Sequence, residues 1–214
     1  MPTDSLLGEK RRILAVVGPH SGCGKTTFVL HLLRYIAGLG CLKVSPSHDW
    51  DAQIVSDAEV LEEDFYLEGS SRLERPGKDT ALYMAAGALE VKRLRHRGDG
   101  LAKGLRAALE RYPAEMPITV ESSSALCWLN PAAIVLVVRL PIEEMKPATE
   151  ALLSRVTDLL INAPDTVDRA SSAEGLTADF PALSPQFTWS ADLIAQPPPE
   201  AMLTRVRTLL TTEG

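Results

Sequence analysis

Ten residues near the start of the chain, Gly18-Pro-His-Ser-Gly-Cys-Gly-Lys-Thr-Thr27, combine the residue types that bind polyphosphate. Glycines at 22 and 24 free the backbone to turn successive N–H groups inward, and a helix starting after them would add its positive end to that nest. His20, Ser21, Gly22, Cys23, Gly24, Lys25, Thr26 and Thr27 are therefore the candidate phosphate-binding residues. Lys25 is placed to reach the β- and γ-phosphates, and the Thr26 hydroxyl to ligate Mg²⁺. The implied chemistry is binding of a nucleoside triphosphate with magnesium. A chance glycine-rich turn is the plainer reading, and the strand-like and helix-like segments on either side of the loop disfavour it.

Two acids could complete such a site. Glu121 follows the apolar run Pro117-Ile-Thr-Val120, so it emerges at the carboxyl end of a strand, where open α/β sheets bind ligands. From there it would hold a magnesium-bound water or orient an attacking one. Asp79 lies behind the turn Pro76-Gly-Lys78 and just before a helix, suited to closing over metal-bound phosphate. Lys25, Asp79 and Glu121 are thus the candidate catalytic groups, and Thr26, Asp79 and Glu121 the candidate metal ligands. Each acid also has a plainer use, Glu121 opening a solvated loop and Asp79 capping the helix that begins near Thr80.

Asn162-Ala-Pro-Asp165 has the N-x-x-D form, in which an aspartate carboxylate accepts from the N1 and N2 donors of guanine. Adenine presents no such pair. The lysine that usually follows the asparagine is Ala163 here, so Asn162 and Asp165 point to GTP while leaving ATP open.

The elements that must position these residues follow from hydrophobic patterning. Ile13 to Val17, Cys41 to Val44, Leu89 to Leu94, Ile118 to Val120, Ala133 to Val138 and Asp158 to Ile161 read as buried strands, the last of these ending the series. Helices are expected over Thr26 to Ala37, Thr80 to Ala88, Leu101 to Tyr112, Pro147 to Val156 and Glu200 to Leu210. Strands alternating with helices imply right-handed crossovers and an α/β fold, a three-layer αβα sandwich of the P-loop NTPase kind around a mostly parallel sheet. The expected organisation is a core over residues 1–170, interrupted by an acidic insertion at 52–75 of mobile or regulatory character. A Ser-, Ala- and Pro-rich segment plus a terminal helix, 171–214, would pack on the same domain.

Bulk properties narrow the partners. At 214 residues, 45% hydrophobic and 23% charged, the chain has the makings of one sizeable core. A net charge of −6 supplies no basic field for phosphate backbones, which argues against nucleic acid. No apolar run is long enough to span a membrane, and Met1 to Arg12 lacks a cleavable apolar leader. Cys23, Cys41 and Cys127 show neither metal-type nor secreted spacing, so a reducing cytoplasm is expected. His31 and His96 stand apart from other ligand types and read as ordinary surface or core histidines.

The loop form G-x-x-S-G-x-G-K-T-T resembles the variant loops of cobyrinic acid synthases and dethiobiotin synthetase, in the class that includes the MinD-type ATPases. The MinD signature lysine would fall at His20, so catalysis across a dimer through that lysine is not supported. Taken together, Ser21 to Thr27, Lys43-Val-Ser-Pro-Ser-His48, Pro76-Gly-Lys-Asp79 with the Ala85-Ala-Gly-Ala88 run, and Val120-Glu121 resemble the MobB family. These are GTP-binding accessory proteins of molybdopterin guanine dinucleotide biosynthesis. The resemblance spans roughly residues 13 to 140. It implies GTP binding, slow GTP hydrolysis and a cofactor-biosynthesis enzyme as partner, with His48 keeping one of the family's histidines. The chain departs from the pattern in its single histidine after the second strand, in Ser122 where the family has glycine, and in the acidic stretch before Pro76. Two other functions remain open, an ATP-dependent ligase or kinase of the dethiobiotin synthetase type and a nucleotide-dependent switch. Relatives of this loop type often dimerise, which leaves a homodimer open.

Overall fold

The computed structural model describes residues 7, 11–47, 59–69, 79–142, 144–164 and 168–211. Strand β1 (Ile13–Val17) is buried along its whole length, as a strand covered on both faces must be. Strands β6 (Ile118–Glu121) and β7 (Ala133–Val138) flank it in parallel. On the β6 side follow β2 (Gly40–Pro46) and β5 (Glu90–His96), and on the β7 side β8 (Asp158–Asn162) and β9 (Phe187–Ala191), all parallel. A hairpin of β3 (Val60–Leu61) and β4 (Phe65–Glu68) adds to β5 antiparallel. The described residues thus form one sheet in the order β3-β4-β5-β2-β6-β1-β7-β8-β9.

Helices cover both faces. Ile13, Ala15 and Val17 pack with Leu105 and Ala108 of α3 (Gly100–Leu109) and with Leu176 of α5 (Arg169–Asp179). Leu14 and Val16 point the other way, as the two-residue strand period requires. They join Phe28 and Leu32 of α1 (Lys25–Tyr35), Tyr83 of α2 (Asp79–Ala85) and Met202 and Val206 of α6 (Glu200–Thr211). The result is an α/β fold with a mostly parallel sheet, and its layering is that of a three-layer sandwich. No helix among the described residues is long and apolar enough to cross a membrane.

The structure departs from the sequence expectations in four places. Asp158 to Ile161 is not the last strand, because β9 pairs with β8 from Phe187↔Asp158 to Ala191↔Asn162. At the sheet edge β9 keeps its first residues exposed, so it lacks the continuous apolar run that marks a central strand. The Ser- and Ala-rich stretch before it holds α5, whose weak amphipathic signal hid it. The helix expected over 147–156 is only α4 (Pro147–Glu150) followed by a 3-10 turn at Leu153–Arg155, since Val156 is already extended to feed β8. In the acidic 52–75 segment, the described part is the β3–β4 hairpin, with Phe65, Tyr66 and Leu67 buried against the sheet.

Candidate functional site

The glycine-rich loop leaves β1 and runs into α1 at Gly24. Gly24 has φ of +108°, a left-handed conformation that side chains resist. A Cβ there would also collide with the Asn162 amide, so glycine is required twice over. Gly22, at φ +80°, makes the other left-handed step of the loop. Inside this curl the Lys25 ammonium donates to the His20 carbonyl at 2.7 Å and lies 3.4 Å from Cys23 Sγ. Cys23 is buried, and its thiol donates to the His20 carbonyl. His20 Nδ1 lies 2.7 Å from the Ser21 carbonyl, while Ser21 and Gly22 are exposed at the rim. Thr27 and Thr26 line the first turn of α1 facing the cavity.

That cavity, about 690 Å³, opens outside the carboxyl ends of β1, β2 and β6, the place where parallel sheets present their ligand crevice. Its centre is a charged group. Lys43 and Glu121 are in register on adjacent strands, and the Lys43 ammonium lies 3.4 Å from Glu121 Oε1 while also pairing with Asp79. Burial would lower the Lys43 pKa, but the Glu121 and Asp79 carboxylates more than offset it and hold it above its ordinary value. On the other side of Glu121, Oε2 accepts from the buried Tyr83 hydroxyl and lies 3.5 Å from Thr26 Oγ1. Desolvation pushes the Tyr83 phenol far up, with neighbouring Cys41 and Glu121 adding to it, so it stays a neutral donor. Asp79 and Tyr83 are four residues apart on α2, hence on one face, and together they bracket the Lys43–Glu121 pair.

This donor set suits a hard divalent cation. Thr26, Asp79 and Glu121 offer only oxygen, and a lysine cation already lies between the two carboxylates. Among the described residues no three His, Cys, Asp or Glu side chains form a metal cage. A magnesium ion here would take most of its ligands from phosphate oxygens and water, its usual habit.

No protein-family model matches the chain, and no curated protein matches it.

Lys25, Thr26, Asp79 and Glu121, far apart in sequence, all line the one cavity. Asn162 sits instead on the far side of the loop, and its side chain is spent on structure: Nδ2 donates to the Cys23 carbonyl at 3.1 Å, and Oδ1 accepts from the Leu193 N–H at 3.1 Å. Asp165, His48 and Pro76 to Lys78 lie outside the described residues. His31 Nε2 is 3.0 Å from the Leu193 carbonyl, a tie between α1 and the loop after β9. His96 is buried with neither ring nitrogen hydrogen-bonded among the described residues, and burial lowers its pKa.

Three contributors escaped the sequence reading. Lys43 interrupts an otherwise apolar strand, a signal that was visible but carried no partner. Tyr83 stands one helical turn after Asp79, and its hydroxyl finds Glu121 only once α2 is packed on the sheet. Lys146 lines the cavity from the segment before α4, a distance of 121 residues from Lys25 that no local pattern bridges.

Proposed function

We propose that this chain binds a nucleoside triphosphate with Mg²⁺ in the cavity above β1, β2 and β6 and hydrolyses it slowly, as a cytoplasmic P-loop NTPase. The observation that carries the reading is the approach of Thr26 Oγ1 to Glu121 Oε2, 3.5 Å, at the mouth of the loop that holds Lys25. A helix-starting hydroxyl and a strand-end acid at that separation are the two protein partners a phosphate-bound magnesium needs. The three cysteines of the described chain are all free, which supports a reducing compartment.

In this reading the loop N–H groups cradle the phosphates, and the Lys25 ammonium exchanges the His20 carbonyl for β- and γ-phosphate oxygens. Thr26, Glu121 and Asp79 would hold the magnesium, directly or through water, and the ion would neutralise charge developing between the β- and γ-phosphates. Glu121, fixed by Tyr83, is the group that orients a water for attack. Among the described residues the two cavity carboxylates are both engaged by the Lys43 ammonium, in keeping with slow turnover.

The nucleotide we assign is GTP, on the N-x-x-D form of Asn162 to Asp165. Because Asn162 is committed to the loop, base discrimination rests on Asp165. The client we assign, from the resemblance to MobB, is an enzyme of molybdopterin guanine dinucleotide biosynthesis.

The test is calorimetric titration of GTP and ATP, with and without Mg²⁺, into the wild type and Asp165→Asn. Magnesium-dependent binding that favours GTP and loses that preference in the variant supports the assignment. Equal or better binding of ATP, unchanged in Asp165→Asn, removes the guanine assignment, and no binding of either removes the whole reading.

A further inference from the structure

The cavity is longer than the loop that opens it. Past Thr26 and Glu121 it continues to Ser122, Ser124 and Lys146, and among the described residues none from β8 or β9 lines it. In the sheet order β2 and β6 lie on one side of β1, and β8, with Asn162 at its end, on the other. Thr26 and Glu121 mark the metal and hence the β,γ end of a triphosphate. The extra space therefore lies beyond the terminal phosphate, away from the base.

Its far wall is tied to the loop. The Lys146 N–H donates to the Pro19 carbonyl at 3.0 Å, and Thr149 Oγ1 donates to the Gly18 carbonyl at 3.1 Å. Ser123 Oγ lies 2.7 Å from Thr149 Oγ1. Since the single Thr149 proton goes to Gly18, Ser123 is the donor of that pair. Ser122 and Ser124 hydroxyls are 3.2 Å apart, and Ser122 Oγ also accepts from the Ala125 N–H. Two hydroxyls carry two protons and only one fits between them, so one remains without a protein acceptor among the described residues. Lys146 is exposed, and among the described residues its ammonium makes no ion pair. One ammonium and one hydroxyl proton are thus left for a ligand in the same cavity.

We propose that this part of the cavity binds the carboxylate of a small-molecule second substrate, next to the terminal phosphate of the nucleotide. The proposal rests on the nucleotide-binding reading above. A carboxylate brings one charge and two acceptor oxygens, which matches the two free donors. A phosphate dianion would set two further negative charges beside the γ-phosphate where a carboxylate sets one.

The experiment is ligand-observed NMR on protein saturated with Mg²⁺ and a non-hydrolysable GTP analogue, with acetate, succinate and inorganic phosphate as separate probes. The expected result is binding of the carboxylates in preference to phosphate. Lys146→Ala weakens carboxylate binding about tenfold at saturating analogue. Lys146 is exposed, so its loss does not endanger folding. No carboxylate binding to the loaded protein, a preference for phosphate, or carboxylate binding indifferent to Lys146→Ala overturns the subsite and leaves the nucleotide reading standing. Failure to bind the analogue overturns both.

Discussion

Lys43 and Glu121 face each other across adjacent parallel strands, and the ammonium of one lies 3.4 Å from Oε1 of the other. The pair stands where a divalent cation would complete the charge balance of Glu121 and Asp79, so the ammonium and a bound metal would compete for the same carboxylates. Lys43→Met is therefore expected to leave two neighbouring acids uncompensated. It should lower stability without Mg²⁺ and recover more of it than the wild type does when Mg²⁺ is added, read as thermal midpoints with and without the ion. Equal Mg²⁺ shifts in both proteins would contradict the competition.

The raised Lys43 pKa also fixes a pH dependence. The folded state holds the proton more tightly than the unfolded chain, so the stabilisation is full below the ordinary lysine pKa of about 10.4 and is lost as pH rises through the higher folded value. Denaturant midpoints of the wild type should fall more steeply above that pH than those of Lys43→Met.

Lys25→Ala is expected to cut triphosphate affinity by at least about a hundredfold, roughly 2.7 kcal/mol. The fold should survive, because the bonds it removes are confined to the His20 carbonyl and the Cys23 sulfur. Fluorescent-nucleotide titration and circular dichroism on the same sample check both halves of the statement.

Tyr83→Phe removes the hydroxyl that holds Glu121 while keeping the ring in the core. A cost of about 1–3 kcal/mol in stability is expected for the buried acceptor left short of its donor. Hydrolysis should fall more than nucleotide affinity does, since Glu121 is then free to leave its orientation. A parallel loss of affinity and rate would assign Tyr83 to packing alone.

Asn162→Ala discriminates between two uses of one side chain. Acting through the loop, it should strip partners from the Cys23 carbonyl and the Leu193 N–H and weaken GTP and ATP by the same factor. A loss confined to GTP would mean that Asn162 touches the base.

The chemistry-bearing loop, its flanking strand and helix, and the acid at the end of β6 were legible in the sequence because they are local. Glycine spacing, a lysine and two threonines at a strand-to-helix turn need no distant information. The run of buried residues in β1 and β7 announces a parallel sheet for the same reason, every position being covered on both faces. The edge was not legible. β9 is half exposed, and its place is held by the buried Asp158, which accepts from Trp189 Nε1 at 2.9 Å and from Arg205 Nε of α6 at 3.0 Å. Such a cluster exists only when three distant segments meet.

The sequence by itself determined where the glycine-rich turn lies between strand and helix and which side chains there carry charge. Only the tertiary structure decided that Lys43 and Tyr83 would share Glu121, that Asn162 would brace the loop, and that Lys146 would close the cavity. Strand order, not sequence order, makes neighbours of residues 43 and 121. Hydrogen bonds and ion pairs act over a few ångströms, so their partners are chosen by the packing of the sheet.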